Sequence, residues 1–129
     1  MKILYADDDS DDREFFAKIL VEIDPGIQLL EASDGIETLN ILAADVIPDY
    51  IFLDINMPRM NGDETLAAIR KDPKLNDTKV VMYSTSIRIE SIPTYEELQA
   101  SFLKKPYTMK DAVTAVRTVI QNHYINTAF

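Results

Sequence analysis

The sequence contains no cysteine and only three glycines among its 129 residues. Without cysteine it has no disulfide, no thiolate metal site and no cysteine nucleophile. Its glycines, Gly26, Gly35 and Gly62, are too few for a dinucleotide-binding fingerprint or a P-loop, both of which need several glycines close together. These absences remove sulfur chemistry and glycine-rich nucleotide binding from the candidate functions.

Basic residues and long apolar runs are also scarce. The 13 Lys and Arg residues stand against 22 Asp and Glu, a net charge of −9, so we expect no binding to nucleic acid or anionic lipid. No apolar run is long enough to cross a bilayer and the N-terminus lacks a signal pattern, so we expect a cytoplasmic protein without membrane attachment. The length fits one domain over residues 1–129, with no effector domain.

Five short apolar segments alternate with stretches of helical spacing. The segments are KILYA, IQLLEA, YIFLD, KVVMYS and SFLK. The clearest helical stripe lies in residues 112–120, where apolar residues recur at spacings of three and four. Strand followed by helix, five times, predicts an α/β protein with a parallel sheet covered on both faces. Pro93 predicts that the fourth helix begins at or after Ile92.

Polar side chains follow the predicted strands at their carboxyl ends, where open parallel sheets hold their chemistry. The first predicted strand ends at Asp7 and Asp8, and the third ends at Asp54. The fourth ends at Ser84 and Thr85, and the fifth at Lys104 and Lys105. Converging carboxylates repel each other, and a hard divalent cation such as Mg²⁺ (or Mn²⁺) reverses that repulsion. A lysine and a hydroxyl suit a transferred phosphoryl group, which makes Asp54 the natural nucleophile.

The run DDDSDD at residues 7–12 holds five aspartates, for which we expect two uses. Asp9 or Ser10 suits the N-cap of the first helix, and the acidic residues at 11 and 12 favour the positive end of its dipole. Capping does not account for Asp7 and Asp8, which precede the helix. We therefore assign these two residues to the cation.

Four segments together resemble the response regulator receiver domain of bacterial two-component signalling: LYADDDSDDR, FLDINMPRMNG, VVMYSTS and FLKKPY, in that order and spacing. The resemblance implies a flavodoxin-like, doubly wound sheet of five parallel strands in the order 2-1-3-4-5 with five helices. It also implies a Mg²⁺-dependent switch that accepts a phosphoryl group from a sensor histidine kinase or a histidine phosphotransfer protein. Such a switch presents a changed surface to an unidentified downstream protein and is not a multiple-turnover enzyme.

The resemblance also assigns roles to residues at the acidic end of the sheet. Asp54 matches the phosphoacceptor, and Asp7 and Asp8 match the acidic pair. The implied metal ligands are Asp7, Asp8, Asp54 and the backbone carbonyl of Asn56. Asn56 is uncharged and so is a poor group to activate water, which predicts slow self-dephosphorylation.

The later strands supply the remaining roles that the resemblance implies. Ser84 matches the switch hydroxyl and Phe102 the aromatic switch position, which turns inward when the serine moves. Lys105 rather than Lys104 matches the lysine of the family's Lys-Pro motif, with a cis bond to the following proline. Thr85 and Ser86 are expected to tune hydrolysis of the phosphorylated form. Thr85 would do so by narrowing access to the phosphoryl group.

Two other functions remain open at this stage. A haloacid-dehalogenase-type phosphatase also uses a strand-end aspartate, Mg²⁺, a hydroxyl and a lysine, but it needs a second aspartate where this chain has Asn56. A phosphorylation-independent binding module would need none of these residues. The single histidine, His123, is expected to interact with the dipole of the last helix rather than to carry a phosphoryl group.

Overall fold

The computed structural model describes residues 1–122 and 126–127, and there the chain alternates strand and helix as predicted. The strands are β1 (Lys2–Ala6), β2 (Gln28–Ala32), β3 (Tyr50–Leu53), β4 (Lys79–Ser84), β5 (Ala100–Lys104) and β6 (Asn126–Thr127). The helices are α1 (Ser10–Ile23), α2 (Gly35–Ala43), α3 (Gly62–Arg70), α4 (Ile92–Glu97) and α5 (Met109–Asn122). Single 3-10 turns lie at Pro73–Leu75 and Ile89–Ser91. His123 lies outside the described residues.

The strands form one parallel sheet in the order β2-β1-β3-β4-β5-β6. Its first five strands and five helices confirm the predicted flavodoxin-like arrangement, with strand order 2-1-3-4-5. The sixth strand was not predicted. It pairs Asn126 with Phe102 and Thr127 with Leu103, and two residues are too few to leave a periodic pattern in the sequence.

The sheet separates two apolar layers, because successive side chains of each strand point to opposite faces. In β1, Leu4 packs in the layer that includes Leu66 of α3. Its neighbours Ile3 and Tyr5 pack in the other layer, with Phe16 of α1. Both faces of the sheet are thus buried, and the carboxyl ends of the strands remain available for a site.

Two helix starts match their predictions. Asp9 is the N-cap of α1, where its carboxylate accepts hydrogen bonds from the Asp11 and Asp12 backbone N–H groups. The fourth helix begins at Ile92 and is only six residues long. Gln99, just before β5, has φ of 56°, a left-handed conformation that favours glycine. The chain therefore takes the sharp turn into β5 without a glycine.

Arg70, at the end of α3, ties together the segments that lead into β4 and β5. Its guanidinium donates hydrogen bonds of 2.8 to 3.2 Å to the carbonyls of Leu98, Leu75, Thr78 and Gln99. Burial lowers the pKa of Arg70. The guanidinium thus joins the end of α3 to the segment just after it and to the turn before β5, 28 to 29 residues later.

Among the helices of residues 1–122, none is both long enough and apolar enough to pass through a bilayer.

Candidate functional site

Asp7 lies at the carboxyl end of β1 and is 1% exposed. Its Oδ2 accepts hydrogen bonds from the Tyr5 hydroxyl and the Lys105 ammonium, both at 2.6 Å, and its Oδ1 accepts one from the Asp9 backbone N–H at 3.0 Å. Burial alone would raise the pKa of Asp7, but the hydrogen bonds from Lys105, Tyr5 and Asp9 hold that pKa below its ordinary value. Asp7 is therefore a buried carboxylate kept in its charged form by its donors.

Asp54 follows β3 and is 9% exposed. Its backbone N–H donates to the Ala6 carbonyl at 2.9 Å, which fixes it beside the end of β1, and its Oδ1 accepts from the Ile55 N–H at 2.8 Å. Burial raises the pKa of Asp54 to about 6, and the negative charge of Asp7 adds to the increase although Lys105 opposes it. Burial and the charge of Asp7 thus outweigh the opposing effects of Lys105 and the Ser84 hydroxyl on this carboxyl.

The carboxylates of Asp7, Asp8 and Asp54 offer a possible metal site, since one ligand oxygen from each lies within 4.8 Å of the others. Asp7 and Asp54 are buried, while Asp8 is exposed. A site made only of oxygen ligands fits a hard divalent cation, which would also offset the burial and the repulsion from Asp7 that raise the pKa of Asp54. The structure therefore brings together the three predicted carboxylate ligands, while the contribution of the Asn56 carbonyl stays a prediction.

Lys105 is the lysine that reaches this site. Its side chain is 11% exposed, and its Nζ lies 2.6 Å from Asp7 Oδ2, 3.3 Å from Asp12 Oδ2 and 3.8 Å from Asp54 Oδ2. Burial would lower the pKa of Lys105, but the hydrogen bond to Asp7 and the surrounding aspartates raise it. Lys104, the other candidate, is exposed at the end of β5.

The peptide bond between Lys105 and Pro106 is trans, so the predicted cis bond is wrong. The trans form is the intrinsic preference of X–Pro bonds, by roughly 0.5–1 kcal/mol. The Lys105 N–H donates to the Ser84 carbonyl at 2.8 Å, which sets the start of this segment beside β4.

Ser84, at the end of β4, is 1% exposed, and its hydroxyl lies close enough to Asp54 to help lower the pKa of that carboxyl. Among the described residues it forms no hydrogen bond of standard geometry. It is therefore a weakly engaged donor beside Asp54, available to an additional acceptor. The two predicted tuning residues that follow, Thr85 and Ser86, are both exposed.

The ring of Phe102 lies inside the protein. Its residue is 5% exposed, and its ring centroid lies 6.3 Å from that of Tyr95 in α4. The Tyr95 hydroxyl donates to Asp63 Oδ1 in α3 at 2.7 Å, which holds the neighbouring ring in place. The predicted switch residue thus occupies an inward position in this structure.

Sequence reasoning missed two residues at the site, Tyr5 and Asp12. The apolar run KILYA predicts only a strand position for Tyr5, although its separation of two residues from Asp7 puts the two side chains on the same face of the sheet. Asp12 was assigned to the helix dipole, but its carboxylate also contacts the Lys105 ammonium. The sequence does not show that a side chain in the first turn of a helix points toward a lysine far along the chain.

A second missed feature joins the turn before α2 to the loop that follows Asp54. Arg59 has φ of 64°, and its Nε and Nη2 each lie 2.7 Å from Asp34 Oδ2, while Asp34 also caps α2. The Gly35 N–H donates to the Met60 carbonyl at 3.1 Å. A Cβ on Gly35 would lie 2.8 Å from that carbonyl oxygen, so only glycine allows this approach. We call the ion pair between Asp34 and Arg59 the Asp34–Arg59 clamp.

A cavity of about 260 Å³ lies beside Lys105, between α1 and the segment after β5. Aromatic rings of Tyr5, Phe16, Tyr83 and Tyr107 line much of it. The Lys105 ammonium lies 5.7 Å from the centroid of the Tyr83 ring. The cavity therefore joins the acidic site to an aromatic surface.

A family profile for the response regulator receiver domain matches residues 3–117. The sensor histidine kinase CheAY of Helicobacter pylori is 32% identical over 121 residues, which cover 92% of this chain and 15% of CheAY. A chemotaxis protein CheY homolog of Campylobacter jejuni is 29% identical over 109 residues, covering 84% of this chain and 83% of that homolog. The chain thus spans a small part of CheAY and most of the CheY homolog.

Solved structures of response regulators are also similar to this chain. The phosphorylated cyanobacterial phytochrome response regulator RcpA has a TM-score of 0.82 at 28% identity, covering 93% of this chain and 91% of RcpA. The Mn²⁺-bound form of response regulator Rcp1 has a TM-score of 0.81 at 25% identity, covering 98% of this chain and 96% of that chain.

Proposed function

The chain belongs to the response regulator receiver domain family, and from this premise we propose that it is a phosphoacceptor switch that uses a divalent cation and Asp54. The observation that carries the proposal is the convergence of three carboxylates and one buried lysine at the carboxyl end of the sheet. A surface or capping role does not require aspartates from two different strands to share a buried ammonium group. A buried ammonium group beside the acceptor carboxylate suits phosphoryl transfer, because negative charge accumulates there during the reaction.

The proposed reaction transfers a phosphoryl group from a phosphohistidine of a kinase or a phosphotransfer protein. A carboxylate oxygen of Asp54 forms a bond to phosphorus while the N–P bond breaks, and the imidazole leaves with the bonding electron pair and takes up a proton. The chemistry that a bound Mg²⁺ supplies is charge compensation between the carboxylates and the phosphoryl oxygens. The residues that would hold it are Asp7, Asp8 and Asp54, with the carbonyl of Asn56.

The protein's own groups complete the stabilisation of the phosphorylated state. Lys105 Nζ is 3.8 Å from Asp54 Oδ2 and can donate to an added phosphoryl oxygen after a small movement. Ser84 has a buried hydroxyl beside Asp54 that makes no hydrogen bond of standard geometry in the described part of the chain, and it can donate to a second oxygen. Bonds that exist only when Asp54 carries the phosphoryl group would shift the population toward a different surface, and Phe102 is the proposed reporter of that shift.

Several finer assignments belong to the same proposal. The switch would act in the cytoplasm through protein contacts, as a single domain over residues 1–129, and would not turn over substrate as an enzyme. Thr85 and Ser86 would tune the lifetime of the phosphorylated form. The metal is proposed as Mg²⁺, and the Mn²⁺-bound state of the structural relative Rcp1 supports a divalent cation in general.

The deciding experiment is incubation with acetyl phosphate and Mg²⁺, followed by mass spectrometry of the intact protein and of its peptides. We expect the mass to increase by one phosphoryl group at Asp54, and no increase in the Asp54→Asn variant. Lys105→Met should greatly slow the reaction, while Lys104→Met, an exposed neighbour, serves as the matched control. Repeated release of phosphate would favour a phosphatase instead, and an unchanged mass would favour a binding module.

A further inference from the structure

Tyr5 brings a hydroxyl into the acidic site from the interior of the protein. The residue is 1% exposed, and its hydroxyl donates to Asp7 Oδ2 at 2.6 Å. The same oxygen accepts a hydrogen bond from Lys105 Nζ at 2.6 Å. One carboxylate oxygen is therefore shared by a neutral donor and a charged donor.

The two donors differ in their freedom to move. The ring of Tyr5 is stacked on Phe16 with a centroid distance of 4.2 Å and an interplanar angle of 10°, and Tyr83 contacts it edge-on at 6.1 Å. The contacts with these two rings restrict the movement of the Tyr5 side chain, so its hydroxyl has less freedom than the Lys105 ammonium. Lys105 has a long side chain, and its ammonium also lies near Asp12 and Asp54.

Lys105 is much closer to Asp7 than to Asp54, at 2.6 Å against 3.8 Å. When the phosphoryl group arrives on Asp54, the ammonium has to turn toward it, and this weakens its bond to Asp7. Asp7 is buried, and a buried carboxylate oxygen that loses its donor is energetically costly. A second donor on Oδ2 that does not move lowers that cost.

We propose that the Tyr5 hydroxyl is a positioning group that keeps Asp7 hydrogen-bonded and correctly oriented while Lys105 turns toward the phosphoryl group. The inference rests on the proposed function and assigns Tyr5 to the step in which Lys105 changes partner. Tyr5 does not touch the reacting atoms and so acts only through Asp7 and Lys105.

The test compares Tyr5→Phe with Tyr50→Phe. The first change removes only the hydroxyl and keeps the ring stacked on Phe16. Tyr50 is also buried and donates its hydroxyl to the Ile120 carbonyl at 3.1 Å, but it begins β3, at the opposite end of the sheet from Asp54. The Tyr50 variant therefore controls for the loss of a buried tyrosine hydroxyl as such.

The measurements are the dissociation constants of Mg²⁺ alone and of beryllofluoride, a phosphoryl analogue, at saturating Mg²⁺, together with the rate of phosphorylation by acetyl phosphate. For Tyr5→Phe we expect beryllofluoride affinity and phosphorylation rate to fall by roughly 5- to 30-fold, the factor that one buried interaction supplies. Mg²⁺ affinity should fall by a clearly smaller factor, because Lys105 still donates to Asp7 Oδ2 when no phosphoryl analogue is bound. Tyr50→Phe should leave all three values at the wild-type level.

Two results would overturn the inference while leaving the proposed function intact. The first is wild-type beryllofluoride affinity in Tyr5→Phe, and the second is an equal loss in Tyr50→Phe, which would make the effect one of general stability. If the wild-type protein itself fails to bind beryllofluoride and to gain mass with acetyl phosphate, the proposed function is wrong and the role of Tyr5 fails with it.

Discussion

Ser84 Oγ is buried at the end of β4 and forms no hydrogen bond within the described residues. At the scale of single residues, this hydroxyl is better explained by a role in function than by a role in folding. A buried polar group without a partner destabilises the unmodified protein. The same group becomes useful once an oxygen acceptor is added beside it.

We therefore predict that Ser84→Ala does not lower the free energy of unfolding of the unmodified protein, because the hydroxyl forms no hydrogen bond of standard geometry there. The same variant should lose most of its affinity for beryllofluoride. Chemical denaturation measures the first effect and titration the second.

Thr38→Val is the matched control, since Thr38 is equally buried but donates its hydroxyl to the Asp34 carbonyl at 2.8 Å. This change should lower the free energy of unfolding by about 1 kcal/mol. A loss of stability in both variants would contradict the view that Ser84 is unsatisfied.

Residue-scale reasoning from the sequence located much of the candidate site. Asp7, Asp54, Ser84 and Lys105 could be placed together because each ends or directly follows an apolar strand, and parallel strands end at one edge of the sheet. Asp12 could not be placed in this way, since helical periodicity does not give the distance from its carboxylate to a lysine 93 positions later. The trans bond after Lys105 was mispredicted because it was inferred from family resemblance and not from local chemistry.

At the scale of elements, α3 starts against the backbone of the proposed phosphoacceptor. The Gly62 N–H donates to the Ile55 carbonyl at 2.8 Å. A Cβ on Gly62 would collide with the Asp54 carbonyl oxygen and would lie 2.9 Å from Ile55 Cα. The start of α3 and the chain after β3 thus fit only because this residue has no side chain.

Gly62→Ala should lower the free energy of unfolding by about 1–3 kcal/mol, the usual cost of forcing extra volume into a packed site. It should also slow phosphorylation, because Asp54 would be displaced. Gly26→Ala is the control, since a Cβ there meets only the Asp24 side chain, at 3.2 Å. Equal stability losses in the two variants would contradict the close packing at Gly62.

The Asp34–Arg59 clamp connects two further elements and makes stability depend on pH. Hydrogen bonds from Arg59 and from the Glu37 backbone N–H lower the pKa of Asp34 below its ordinary value of 3.8. A carboxylate with a depressed pKa in the folded state stabilises the fold above its unfolded pKa, and this contribution is lost as the pH falls through the folded value.

Asp34→Asn should therefore destabilise the protein at neutral pH, and the difference from wild type should shrink as the pH falls below 3.8. Thermal or chemical unfolding of both proteins across the acid range measures this difference. A difference that stays constant with pH would mean that Asp34 acts only as an uncharged helix cap.

At the scale of the whole molecule, Arg70 links α3 to the segments that lead into β4 and β5 through four backbone carbonyls. Arg70→Met should lower the free energy of unfolding by about 2–4 kcal/mol, because bonds from a charged donor are stronger than neutral ones. Arg88→Met removes an exposed arginine 3.9 Å from Glu90 and should change stability by less than about 0.5 kcal/mol. Equal effects of the two changes on chemical denaturation would contradict this role.

The architecture as a whole followed from the sequence because its main elements carry strong patterns. The apolar run before Asp54 and the stripe in residues 112–120 each predict one element type clearly. Arg70 was not identified, since a guanidinium that binds carbonyls looks like any helix-end arginine in sequence. The left-handed Gln99 was also missed, because only glycine signals that conformation reliably.

The short β6 covers part of the outer edge of β5. Beside Phe102 and Leu103 the outer hydrogen-bonding groups of β5 are already occupied by residues 126–127. Among the described residues the outer strands of the sheet are β2 and β6, so a peptide that pairs with β5 at Phe102 by β-augmentation would first have to displace β6. Residues 126–127 thus shield the strand that carries Phe102 from direct strand addition at that point.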